Sequence, residues 1–191
     1  MSNHGFHVHG PHDHELEHAA EHDRKGMAGH LAAVAAIVAT VGAIFAYMGG
    51  LAEAEAGLFK NEAAIKKTEA ANQWNYYQAK SSRQNLSELA IELVPEALKA
   101  SFAADVERYK KEKEAIKVEA EKFEAASKAA DERSAEQLDQ HLRWAQATTL
   151  MQISIALAAI ALLTKRRWMV NMMFGVIAVG VLVGIAAWLH Y

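Results

Sequence analysis

Two histidines and a glutamate near the amino terminus have the spacing of a zinc-hydrolase motif. The stretch from His14 to His18 reads His-Glu-Leu-Glu-His, which matches the pattern H-E-x-x-H. On a helix this spacing places two imidazoles on one face, where they can bind zinc, with the Glu15 carboxylate beside them as a general base. The motif therefore raises the possibility of a metallopeptidase.

The surroundings of this motif argue against hydrolysis. A hydrolytic zinc site needs a third protein ligand, an open coordination position and a pocket that excludes water. Leu16 is the single strong apolar residue near the motif, and the third-ligand continuation of the zincins is missing. We therefore expect that the protein is not an enzyme and that it has no catalytic residues.

The motif belongs to a His-rich amino-terminal tail, residues 1–26. Neutral imidazoles bind zinc, nickel or copper, and neighbouring carboxylates could supply oxygen ligands. Histidines also change charge near neutral pH, so the tail could instead respond to pH. Metal binding without catalysis and a pH-sensitive tail both stay open. The candidate metal ligands are His4, His7, His9, His12, His14, His18 and His22.

Three runs of the chain contain no Asp, Glu, Lys or Arg: 27–52, 144–164 and 168–191. A helix needs about 20 predominantly apolar residues to cross roughly 30 Å of hydrocarbon. Each run reaches that length and none has a polar face, so buried helices of a soluble protein are a poor alternative. We predict three transmembrane helices in these runs, with the lipid bilayer as a partner.

The segment between the first two runs, 53–143, is rich in Ala, Glu and Lys, which favour helix. Pro95 interrupts it, because proline cannot continue a helix interior. Residues recur at intervals of seven on both sides of Pro95, a pattern typical of helices that wind around each other. These residues are Leu51, Leu58, Ile65, Asn72, Ala79, Leu86 and Leu93, followed by Phe102, Tyr109, Ile116, Phe123 and Ala130.

This pattern predicts an all-α membrane protein with three transmembrane helices and a long antiparallel coiled-coil helical hairpin between the first and second. The turn of the hairpin is expected near 94–102. Equal arms would then place Trp74 level with Phe123, in one bulky layer with Tyr77. An isolated pair of helices of this length buries little surface, so we also expect a homo-oligomer.

Basic residues predict the orientation in the membrane. The loop 165–167 is Lys-Arg-Arg, and Arg24 and Lys25 precede the first run. The positive-inside rule assigns both clusters to the cytoplasm. The amino-terminal tail is then cytoplasmic and the hairpin periplasmic. No region is basic enough to suggest nucleic acid as a partner.

Several residues are candidates for protein contacts. Gly180 and Gly184 form a G-x-x-x-G pattern, which lets helices approach closely in lipid. Aromatic residues and a lysine cluster in the hairpin, where they could bind an unidentified protein partner or pack against the second arm: Trp74, Tyr76, Tyr77, Lys80 and Phe123. In the second run Thr148, Thr149 and Gln152 could line a pore or form hydrogen bonds between helices.

Three strings resemble the bacterial domain-of-unknown-function family 4337. They are NEAAIKKTEAANQWNYYQAKSSRQNL (61–86), VERYKKEKEAIKVEAEK (106–122) and RWAQATTLMQISIALAAIALLTKRRW (143–168). The resemblance runs from the first predicted span through the third, and Gln73 to Lys80 is its most specific part. It implies a bacterial inner-membrane protein with three spans and a helical insert, and carries over no catalytic or ligand-binding residues.

Two functions remain in view. The first is a non-enzymatic integral membrane scaffold or assembly protein that self-associates through its spans and its coiled-coil stalk. The second is an oligomeric channel or a metal-responsive transport accessory. A channel would need a polar stripe through the bilayer, and polarity is found only in the outer half of the second span, which favours the scaffold.

Overall fold

A computed structural model describes residues 26–189 of the chain. In this range it contains three α-helices and no strands: α1 (Met27–Leu93), α2 (Glu96–Thr164) and α3 (Arg167–Trp188). Each contains a window with a mean hydropathy of 2.2, 1.8 and 2.3 respectively, and each is long and apolar enough to cross a membrane by length and composition. The prediction of an all-α chain with three long apolar helices is confirmed.

A short break at Val94 and Pro95 separates α1 from α2. The amide of Val94 still donates to the carbonyl of Ala90, and the carbonyl of Pro95 accepts from the amide of Leu98 as α2 begins. We predicted a turn over 94–102, but α2 already starts at Glu96. Proline is favoured at the start of a helix because its missing N–H needs no partner there. The residues that follow it are good helix formers.

The second break consists of two basic residues between α2 and α3. Lys165 has a φ of 53°, in the left-handed region that L-residues seldom adopt. Its amide donates to the carbonyl of Ala161 at 2.9 Å, which is the bond that closes a helix with a left-handed residue after its last turn. Arg167, assigned to the loop by sequence, is the first residue of α3.

The described chain forms two compact units. Unit 1 contains residues 26–54 and 137–189, and unit 2 contains residues 55–136. In unit 1 all three helices contribute to a core of small and flexible apolar side chains. Its buried residues are Leu31, Ala35, Ala158, Ala161 and Met173.

In unit 2 the segments of α1 and α2 run antiparallel. Serine hydroxyls of α2 reach the backbone of α1: Ser134 Oγ donates to the carbonyl of Ala56 and Ser127 Oγ to that of Ala63, both at 2.9 Å. A hydroxyl can bond to a backbone carbonyl of another helix only where the two helices approach closely. Alanine makes this approach possible, because it places a single carbon between the backbones.

The contact face of α1 differs from the predicted one. Leu58, Ile65, Leu86 and Leu93 keep 70%, 52%, 66% and 75% of their surface exposed. The buried residues that recur every seven positions are instead alanines, at 56, 63 and 70. In α2 the predicted repeat is largely correct, since Ile116 and Ala130 are buried. We name the alanine face of α1 the inner seam.

Candidate interaction sites

Trp74 connects the two helices of unit 2. Its indole Nε1 donates to Glu124 Oε1 at 2.8 Å. Its ring also meets the ring of Tyr77 edge-on, with centroids 5.6 Å apart. Residues three apart on a helix are neighbours on its surface, so the pair follows from local spacing. Glu124 adjoins Phe123, which the sequence placed level with Trp74.

Phe123 itself makes a different contact from the predicted one. The Lys66 ammonium lies 5.3 Å from the centroid of its ring, which is within the range of a cation–π interaction. Lys66 also donates to Glu69 Oε2 at 2.8 Å. Among the aromatic ring pairs of the described chain, Trp74 pairs with Tyr77 but not with Phe123. The predicted three-residue layer is therefore divided into two contacts.

Lys80 is the centre of a charged and aromatic cluster. Its Nζ lies 2.5 Å from Glu112 Oε2, and its side chain keeps only 12% of its surface exposed. The ammonium also lies 5.2 Å from the ring of Tyr76 and 5.5 Å from the ring of Tyr109. The Arg108 guanidinium also lies near the ring of Tyr109, with its Cζ 4.9 Å from the ring centroid. The cluster joins α1 to α2 through the Lys80–Glu112 ion pair and the contact of Lys80 with the Tyr109 ring.

The ion pair shifts the protonation of both partners. The close approach of Glu112 raises the pKa of Lys80 above the ordinary lysine value, and the same contact lowers the pKa of Glu112. The lowered carboxyl pKa stabilises the fold above pH 4.5, and that stabilisation is lost as the pH falls through the folded value. The raised lysine pKa stabilises it below pH 10.5 and is lost as the pH rises further.

We expect Glu112→Gln to lower the thermal midpoint of unfolding at pH 7, because it leaves the largely buried Lys80 side chain without its counter-charge. The difference from the wild type should shrink as the pH falls below 4.5 and should vanish below the lowered pKa of Glu112, where the folded wild-type carboxylate is itself protonated. Circular dichroism melts between pH 7 and pH 3 measure both effects. Glu132→Gln is the control, because Glu132 and Lys128 form an exposed pair 3.8 Å apart. An equal decrease of the thermal midpoint in both variants would contradict a special stabilising role of the Lys80–Glu112 pair.

These contacts are formed within one chain. Trp74, Tyr77 and Lys80 all contact residues of α1 or α2 in unit 2. Tyr76 differs from them, because half of its surface is exposed. Binding of another protein by these residues stays a prediction.

Gly180 and Gly184 lie at close contacts of α3 in unit 1. A side chain at Gly180 would lie 3.0 Å from the Cβ of Leu150 and against the methyl group of Met151. A side chain at Gly184 would lie 2.7 Å from Cε2 of Phe45. Both glycines are buried. The pattern therefore allows α3 to pack against α1 and α2 of its own chain.

The hydroxyls of Thr148 and Thr149 bond within their own helix. They donate to the carbonyls of Trp144 and Ala145, four residues earlier, at 2.9 and 2.8 Å. The predicted hydrogen bonds between helices are therefore not formed by these two hydroxyls. A pore lining by Thr148, Thr149 and Gln152 stays a prediction. Polar contacts between the helices of unit 1 come from other residues. His141 Nδ1 lies 2.9 Å from the carbonyl of Gly49, and Gln140 Nε2 donates to the carbonyl of Ala187.

A groove of about 710 Å³ lies beside the inner seam of unit 2. Its charged lining residues are Lys60, Lys67, Glu124, Lys128 and Asp131. Lys60 Nζ and Asp131 Oδ1 are 2.5 Å apart, so part of this charge is neutralised within the groove. The mixture of signs gives the groove no clear preference for an anion or a cation.

The histidines of the amino-terminal tail lie outside the described residues. They are His4, His7, His9, His12, His14, His18 and His22. Between residues 26 and 189, no group of three or more His, Cys, Asp or Glu side chains is placed to hold a metal ion. Binding of zinc, nickel or copper by the tail stays a prediction.

The chain was compared with protein families, curated proteins and solved structures. A family described as "Domain of unknown function (DUF4337)" matches residues 27–190. The match includes all three helices and both units. No curated protein and no solved structure matches the chain.

Proposed function

The chain belongs to the DUF4337 family, and from the surfaces of its two units we propose that it is a non-enzymatic scaffold or assembly protein of a bacterial inner membrane. The observation that carries the proposal is the apolar surface of unit 1. Large apolar side chains are exposed on each of its helices, among them Ile37, Tyr47, Leu163 and Leu182. Monomeric soluble proteins seldom expose contiguous apolar patches larger than roughly a few hundred Å².

Packing within unit 1 agrees with insertion in lipid. The apolar windows of the three helices are only 17–33% buried, so most of their surface needs an apolar surrounding. Close contacts are made by small residues, such as Gly180 against Leu150. Small residues at helix contacts are typical of membrane helices, which gain stability from close packing rather than from exclusion of water.

Unit 2 has the surface of a region outside the bilayer. Ion pairs run along both of its helices, and many of their side chains are more than half exposed, such as those of Lys128 and Glu132. Charged side chains are costly in hydrocarbon. We assign unit 2 to the periplasm as an antiparallel coiled-coil hairpin, and the basic pair Lys165 and Arg166 to the cytoplasm by the positive-inside rule.

Fractionation of bacterial cells tests the membrane part of this proposal. The full chain should stay in the membrane pellet after an alkaline wash that releases peripheral proteins. A membrane-impermeant maleimide should label Ala125→Cys in whole cells, whereas Ser2→Cys should be labelled only after the membrane is disrupted. The natural chain has no cysteine, so it is the unlabelled control. Recovery of the chain in the soluble fraction would contradict membrane insertion.

The scaffold role is tested with the purified chain in lipid nanodiscs and in liposomes. A scaffold that self-associates should give a particle mass that corresponds to more than one copy. Liposomes that contain it should pass ions no faster than empty liposomes. A single copy per particle would contradict self-association, and an ion flux that depends on the protein would favour the channel.

A further inference from the structure

A second face of α1 in unit 2 is exposed along its whole length. It lies opposite the inner seam, and we name it the outer strip. Its residues occupy three positions of each seven-residue repeat, and all of them are exposed. They are Leu58, Asn61, Ala64, Ile65, Thr68, Ala71, Asn72, Asn75, Gln78, Ala79, Ser82, Asn85, Leu86 and Leu89.

The outer strip contains no charged residue, although charges flank it and occur throughout unit 2. The outward face of α2 is different, because it exposes residues such as Lys111, Lys122, Glu132 and Glu136. A helix face that stays in water ordinarily carries such charges. A long uncharged face on one of two paired helices is the pattern of a surface that contacts protein.

We propose that the outer strip binds the outer strip of a second copy of this chain, in parallel and at the same level. The inference rests on the proposed function, because two chains anchored in one bilayer with one orientation present their strips side by side and pointing the same way.

The chemistry of the strip favours an identical partner. Five of its residues are amides, and a side-chain amide is both a donor and an acceptor of hydrogen bonds. A row of amides can therefore satisfy an identical row, and Asn72 would face Asn72 in a parallel pair. A polar residue at one position of a helical seam fixes the register of the pair. Two uncharged strips also meet without repulsion between like charges.

The size of the strip is sufficient for a specific contact. From Leu58 to Leu89 the helix is about 48 Å long at 1.5 Å per residue, and a contact band is about 10 Å wide. Two copies would bury about 960 Å² in total, close to the roughly 1,000 Å² that marks a biological interface. Anchoring in a common bilayer makes such a modest contact effective, because it raises the local concentration of the partner.

A lipid surface is a poorer occupant of the same face. Helices that lie on anionic membranes carry lysines and arginines beside their apolar face. The positions on one side of the outer strip hold Glu62, Glu69 and Arg83, and those on the other side hold Lys60, Lys67 and Glu88. The flanks therefore carry as many acidic as basic residues and lack the excess of positive charge that an anionic surface attracts.

Disulfide crosslinking of the full chain in native membranes tests the proposal. The natural sequence has no cysteine, so each introduced thiol reports one position. A disulfide forms only where two Cβ atoms come within about 4.5 Å of each other. Ala79→Cys and Ser82→Cys on the outer strip should give a crosslinked dimer under mild oxidation. Ala125→Cys, an equally exposed alanine on α2, should give at most about a tenth as much at the same thiol density.

A second pair of variants tests the contact without relying on disulfide geometry. In the Ala79→Cys background, Ile65→Glu should lower the crosslinked fraction about tenfold, because two carboxylates would meet in the strip. Val118→Glu on α2 introduces the same charge at a similarly exposed β-branched residue and should leave the fraction unchanged.

The outcomes separate this inference from the proposed function. The protein could be in the membrane with several copies per particle while Ala79→Cys crosslinks no better than Ala125→Cys. In that case the outer strip is not the contact between copies, and the proposed scaffold function is unaffected. A crosslinked product that contains a different protein would overturn the second copy as the occupant. A chain recovered outside the membrane would overturn the proposed function itself.

Discussion

Gly184→Leu should destabilise unit 1 by about 1–3 kcal/mol, the usual cost of forcing a large side chain into a packed core. A Cβ at this position would already lie 2.7 Å from the ring of Phe45, and leucine adds three more carbons. Phe45 cannot retreat freely, because its ring lies 5.5 Å from that of Trp144, which is almost fully buried. Thermal unfolding of the chain in mild detergent measures this effect, and the midpoint of the variant should be lower than that of the wild type.

Gly175→Leu is the matched control for this substitution. It lies on the same helix, and no atom lies within 4 Å of a Cβ built there. Leucine has a helix propensity better than that of glycine by up to about 1 kcal/mol. Gly175→Leu should therefore be neutral or slightly stabilising. An equal destabilisation by both variants would show that glycine is needed for the helix itself and not for its contact with Phe45.

The existence and length of the helices could be predicted from the sequence. Uncharged runs and a Pro-interrupted segment rich in Ala, Glu and Lys indicate three helices, and they also place the breaks near Pro95 and Lys165. The predicted turn over 94–102 was too long, because residues 96–102 have good helix propensity although they follow a proline. The helix propensity of these residues lets α2 begin directly after Pro95, since proline is tolerated just before or at the first helical turn.

The face by which the two helices of unit 2 meet is not the one that the larger apolar residues of the sequence predicted. Helix α1 carries two seven-residue repeats in different phases, one with Leu58 and Ile65 and one with Ala56 and Ala63. The larger apolar residues suggested the first. The alanine repeat forms the contact, because Ser127 and Ser134 require backbone carbonyls within hydrogen-bonding distance. Small residues opposite serines were the signal that could have indicated it.

The contact partners of individual side chains also could not be predicted from the sequence. The Lys80–Glu112 pair joins residues 32 positions apart, and many other glutamates were equally available to Lys80. Glycine spacing similarly predicted close packing at Gly180 and Gly184 but did not indicate which helix would be the neighbour. Such choices depend on the register of two helices, which is set by the whole contact rather than by one residue.

Ala120→Leu should separate the two helices of unit 2. Ala120 is completely buried, and it continues the seven-residue series of Ser127 and Ser134 that bonds to the α1 backbone. Leucine there would push the helices apart, stretch both serine bonds and cost about 1–3 kcal/mol. For a unit of this size each kcal/mol corresponds to about 4–8 °C in the thermal midpoint. Circular dichroism of the full chain measures this shift.

Ala125→Leu distinguishes loss of packing from any effect of leucine on the helix. Ala125 lies five residues further along α2 and is exposed, so the same substitution changes helix propensity equally but meets no neighbour. Its free energy of unfolding should stay within about 0.5 kcal/mol of the wild type, as is usual for a surface substitution. If Ala120→Leu melted like Ala125→Leu, the two helices could not be in contact through the inner seam. The antiparallel pairing that the serine bonds define would then be wrong.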